Sequence, residues 1–126
     1  NDEFLNNYWA DGLIIATPTG STAYSLSVGG PILTPNSENF VITPLAPHNL
    51  TIRPIVVPDN GEIKLKVEGR GTNYLTSLDS RSVAVEFSTV LRIKKAGFKL
   101  KTLQLPDQPF FNTLRTKLMW GIDRRN

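Results

Sequence analysis

The sequence predicts an all-β domain, two packed sheets or an irregular β-sandwich or barrel, carrying one short helix and a short helical tail. Three observations predict it. Turn-forming residues recur about every eight to twelve positions, with short apolar or alternating runs between them. Only two stretches, Thr22 to Val28 and Asn112 to Leu118, are candidates for helix. A length of 126 residues, 40% hydrophobic and 20% charged, is that of one ordinary globular domain with a core of its own.

Taken in order, Asn1 to Leu5 reads as the end of a hairpin whose partner strand is missing, the mark of a piece of a longer chain. Leu13 to Ile15 is wholly apolar and suits a buried strand. The helix at Thr22 to Val28 stops at Gly29-Gly30. Phe40 to Thr43 and Leu50 to Val57 read as strands bounded by Pro44, Pro47 and Pro58. Ile63 to Val67 alternates and breaks at Gly69-Arg70-Gly71. Tyr74 to Leu78 and Ser82 to Phe87 flank a turn at Asp79-Ser80. Val90 to Lys95 and Phe98 to Leu105, on either side of Ala96-Gly97, read as a hairpin.

Composition excludes several functions. With no cysteine and a single histidine, His48, disulfide frameworks, thiolate sites and multi-histidine metal centres are out. No window approaches the ~18 apolar residues of a membrane span, and no secretory signal opens the chain, so a cytoplasmic protein without membrane contact is expected. The net charge of +3 is mild. Lys99 and Lys101 alternate with Phe98 and Leu100 as on the wet face of a half-buried strand, which argues against nucleic acid as a partner.

The informative stretch is DGLIIATPTGSTAYSLSVGGPIL, Asp11 to Leu33. An apolar run gives way to small and hydroxyl-bearing residues at a helix entrance, where backbone N–H groups and Ser/Thr oxygens meet anions or the polar edges of a ring. Tyr24 offers a flat face on which a base can stack. On generic chemistry the string serves equally as a capped strand–turn–helix connection with Tyr24 in the core.

The string itself closely resembles the signature of the NAD kinase family. ITPLAPHNLTIRPIVVP (Ile42 to Pro58), LDSRSVAV (Leu78 to Val85) and FFNTLRTKLMWG (Phe110 to Gly121) resemble three further segments of that family in the right order. The resemblance implies an enzyme that transfers a phosphoryl group from ATP or polyphosphate to the adenosine-ribose 2′-hydroxyl of NAD, giving NADP. It implies Mg²⁺ or another divalent cation, and a homodimer or homotetramer in which the dinucleotide pocket borrows groups from a neighbour. In that family the catalytic aspartate lies in a Gly-Gly-Asp-Gly-Thr loop of an N-terminal α/β domain. No such string occurs here, so the resemblance implies that residues 1–126 are the C-terminal NAD-binding domain and that no catalytic residue is among them.

Position by position, the resemblance makes Asp11, Thr22, Ala23, Tyr24, Ser25, Ser27 and Arg81 the dinucleotide-binding set. Asp11 would accept a hydrogen bond from the ligand, and Thr22 and Ser27 would bond polar edges of base or ribose. Ala23 would leave room for a ring that Tyr24 walls. Arg81 and Trp9 depart from the family's preferred residues; a guanidinium at position 81 would favour a pyrophosphate or 2′-phosphate. His48, flanked by prolines, is expected to lock a loop by hydrogen bonding, and Arg53 to pair with a carboxylate or serve structure. Two other readings compete: a lipid kinase of the diacylglycerol or sphingosine kinase type, and a non-enzymatic β assembly module.

Overall fold

Turn chemistry and apolar runs cut the chain into seven short strands and two α-helices, in a computed structural model that describes residues 2–122. The mostly-β class holds. The strands form one three-stranded and two two-stranded sheets, distributed over two units.

The larger unit contains Asn6–Pro58 and the segment from Gly97 onward. Its sheet has the order β1-β2-β3, all antiparallel, from β1 (Gly12–Ala16), β2 (Asn39–Leu45) and β3 (Ile55–Pro58). Gly12 lies opposite Leu45, Ile14 opposite Thr43 and Ala16 opposite Val41. Central position explains composition: the run Phe40-Val41-Ile42-Thr43-Pro44 is buried throughout, so β2 is covered on both faces. Pro44 lies opposite Leu13 of β1 but beyond the end of the β2–β3 pairing, which reaches only to Ile42, so on that side no strand requires an N–H from it. Val41 meets Ala16 and Leu33 in the core, and each large aliphatic side chain buried in this sheet contributes about 1.5–3 kcal/mol.

Two expectations in this unit are corrected. The expected strand Leu50 to Val57 is half a turn: Asn49 Oδ1 accepts from the Thr51 N–H at 3.0 Å and from the Thr51 hydroxyl at 2.7 Å, and strand begins only after Pro54. Arg53 holds the same turn, donating to the carbonyls of Leu50 and Ile52 rather than to a carboxylate. Phe98 to Leu105 forms no strand at all, and Phe98 and Leu100 are 80% and 89% exposed. Near the end of the chain α2 (Phe110–Leu118) starts two residues before expectation, buries Leu114, and carries Arg115 and Lys117 at its negative end. It stops at Met119 in the left-handed region.

The smaller unit contains residues 2–5 and Asp59–Ala96. Here β4 (Glu62–Leu65) pairs with β7 (Leu91–Lys94), and β5 (Asn73–Leu78) with β6 (Arg81–Glu86). The first pairing explains why β7 does not take the following segment as partner. It sets Ile63 against Ile93 and Leu65 against Leu91, and brings Arg92 within 3.3 Å of Glu62. The β5–β6 hairpin turns on Asp79-Ser80 as expected, with Asp79 at φ 53°, a conformation that Asp accepts more readily than most residues. No strand forms over residues 2–9, so the expected hairpin end is not seen there, and Asn1 lies outside the described residues. Asp2 is tied instead to β4 by Lys64 at 2.7 Å, whose hydrogen bond and charge hold its carboxyl below the usual range. No helix among the described residues is long and apolar enough to cross a membrane.

Candidate functional site

The site grows out of β1. Asp11 sits at the bend before it, its N–H donating to the Leu45 carbonyl at 3.0 Å, and its carboxylate is exposed. Beyond Ala16 the chain turns at once into a 3-10 turn, Thr19–Thr22, and then into α1 (Tyr24–Ser27). The single helix expected over Thr22 to Val28 is thus split at Ala23, whose ψ of −126° fits neither piece. Thr17 prepares the turn: its carbonyl accepts from the Ser21 N–H at 2.9 Å and its hydroxyl from the Gly20 N–H at 3.3 Å.

From there α1 folds back over the sheet. Ser25 Oγ lies 3.0 Å from Thr43 Oγ1, and Thr43 faces Ile14, the middle residue of β1. Asp11 lies three residues before Ile14, just outside the strand, about 10 Å at the usual rise. Asp11 thus precedes one strand of this sheet, and α1 is tied to the strand beside it.

The expected residues divide by exposure. Tyr24 is 58% exposed, so it is not the core residue that the generic alternative required. Ala23 and Ser27 are exposed and Thr22 is half-buried. The Thr22 and Ser27 hydroxyls make only long local bonds, to the Thr19 carbonyl at 3.3 Å and the Ala23 carbonyl at 3.5 Å, which a ligand could replace. Ser25 differs from the others. It is 1% exposed, and its oxygen is turned inward onto Thr43. Arg81 is exposed at the start of β6, in the other unit.

Two neighbouring residues are also placed. Trp9 is exposed, and its carbonyl accepts from the backbone N–H of His48 at 2.7 Å. The loop lock expected of His48 is therefore made by its backbone amide, while the imidazole is exposed and makes no hydrogen bond among the described residues. His48→Ala is accordingly expected to shift stability by less than about 0.5 kcal/mol. A urea midpoint lowered by several times that amount would show the ring to be structural.

Sequence reasoning missed Thr43 and Gly30. The signal for Thr43 was a lone hydroxyl closing the apolar run Phe40-Val41-Ile42. Among the described residues no group of three or more His, Asp or Glu could hold a metal ion. A shallow groove in the smaller unit, lined by Asp59, Asn60, Glu62, Lys94 and Lys95, spends charge internally, with Lys95 Nζ 3.0 Å from Asp59 Oδ2.

A small β-domain that carries one hydroxyl-rich loop folded back over its sheet is the class that fold and site define. The chain belongs to the family described as the ATP-NAD kinase C-terminal domain, whose model matches residues 1–105. It is 62% identical over its whole length to an NAD kinase of Flavobacterium psychrophilum and 54% identical over 125 residues to one of Bacteroides fragilis. In each case it covers 43% of the relative, so the chain spans less than half the length of these proteins. In fold it is similar to yeast NADH kinase, solved in complex with NADH, with a TM-score of 0.64 at 24% identity over 96% of this chain and 38% of that one.

Proposed function

We propose that this domain holds NAD as the phosphoryl acceptor of an NAD kinase, which phosphorylates the adenosine-ribose 2′-hydroxyl to give NADP. The observation that carries the reading is the exposed set of Ala23, at the cap of α1, and Tyr24 and Ser27 within it, in a helix that Ser25 ties to Thr43 of the central strand. Tyr24 stacks a base, Ala23 makes space for it, and Thr22 and Ser27 offer hydroxyls to ribose or base edges. Asp11 accepts a ligand hydrogen bond. The donor, ATP or polyphosphate, and the divalent cation that neutralises its phosphates fall to the part of the protein outside this chain. So does the aspartate that takes the hydroxyl proton. This division of labour rests on the more than half of the relatives' length that the chain does not cover. The protein works in the cytoplasm.

We further propose a homodimer or homotetramer. Leu75 and Val83 on the β5–β6 hairpin are more than half exposed, an apolar area of the kind that subunits cover.

One set of measurements tests both. The full-length protein with NAD, ATP and Mg²⁺ is expected to form NADP and to scatter light as a multiple of the chain mass. Residues 1–126 alone are expected to form none. Turnover by that fragment, abolished by a substitution within it, would overturn the division of labour; a concentration-independent monomer would overturn the assembly.

A further inference from the structure

The connection from β1 to β2 is held by hydroxyls rather than by hydrocarbon. Ser21 is fully buried; its Oγ donates to the Pro18 carbonyl at 2.6 Å and accepts from the Leu33 N–H at 2.9 Å, joining the start of the loop to its end. Four residues on, Ser25 Oγ meets Thr43 Oγ1 on the central strand. The Ser25 carbonyl also accepts from the Gly30 N–H at 2.8 Å. A Cβ at Gly30 would stand 2.4 Å from Ser25 Oγ and 2.8 Å from both the Ser25 carbonyl oxygen and Thr43 Oγ1. Helix, Gly-Gly turn and strand thus converge where only hydrogen fits.

Hydroxyls are costly to bury unless they are hydrogen-bonded, and Ser25 and Thr43 satisfy each other here. Hydrogen bonds are directional, and direction is what α1 lacks. A helix of four residues is far below the length that sustains itself, so its orientation is fixed from outside. With Ser25 turned inward, Ala23, Tyr24 and Ser27 are the residues left facing outward.

We infer that Thr43 and Ser25, seated against Gly30, are positioning residues for the NAD-facing side chains, and that Ser25 acts from behind α1 rather than on the ligand. The inference rests on the reading of α1 as part of the NAD site. Thr43→Val keeps the shape and removes the hydroxyl; Thr43→Ser keeps the hydroxyl. In the full-length protein Thr43→Val is expected to raise the Michaelis constant for NAD about tenfold, the effect of one buried hydrogen bond, and to leave that for ATP alone. Thr43→Ser should restore it to within about twofold. In a Tyr24→Ala background the effect of Thr43→Val should largely vanish, since residues acting through one another are not additive. Ser25→Ala, which removes the other half of the pair, gives the same readout if Thr43→Val does not fold. Normal NAD constants in folded Thr43→Val or Ser25→Ala, beside a raised constant in Tyr24→Ala, would overturn the positioning role and leave the site standing. A normal constant in Tyr24→Ala would overturn the site, and the inference with it.

Discussion

Tyr24→Ala is expected to raise the Michaelis constant for NAD some five- to a hundredfold in the full-length protein, with little change in that for ATP. The size follows from base–aromatic stacking, worth about 1–3 kcal/mol by alanine substitution, and from the tenfold per about 1.4 kcal/mol that links energy to binding. The melting temperature should hold, because a ring that is 58% exposed contributes little to the core. Asp11→Asn makes a useful companion. It keeps the size but adds donors where the carboxylate only accepted, so NAD should weaken again with stability intact. Melting curves and NAD titrations of the two variants decide the matter. If both bind NAD normally, the loop is scaffold.

Ile42→Ala is expected to produce the largest loss of stability in the chain, about 2–5 kcal/mol. Ile42 is 2% exposed on the central strand, so truncation leaves a cavity that strands on either side cannot collapse to fill. Against the roughly 5–15 kcal/mol by which domains are stable, that is a large fraction. Leu103→Ala, at a fully exposed position outside any strand or helix, makes the control, expected to change little. Urea midpoints for the two should separate cleanly. Equal shifts would mean that the β2 sheet is not where the core lies.

Local chemistry made much of this legible. Ile63 to Val67 alternates, Tyr74 to Leu78 and Ser82 to Phe87 are runs flanking a turn, and Asp79 suits that tight hairpin turn, so β4, β5 and β6 were readable to within a few residues. The partner of β7 was not. Sequence neighbours pair more often than not, which favoured the segment after Gly97, whereas matched isoleucines and leucines drew β7 to β4 across the intervening hairpin. The strand expected at Leu50 failed for a local reason, the side chain of Asn49 competing for backbone donors. At the candidate site the outward residues were readable from their chemistry, because a loop displays what it uses. The burial of Ser25 was not readable, because serine serves equally at a surface and in a satisfied interior, and its partner is eighteen residues away.

The Lys95–Asp59 bridge has a bearing on how the gene can vary. It joins the residue at which the smaller unit leaves the chain to one at its return, so the excursion begins and ends at nearly one place. A segment anchored that way behaves as a detour: its tip can lengthen or shorten while the route on either side stays the same. Loop-closure entropy makes such edits cheap, about 0.6 kcal/mol for each doubling of length. A change of length therefore disturbs the path of the chain least at the turn between β5 and β6, whereas the connection between β1 and β2, clasped at Ser21 and Ser25, has no comparable slack.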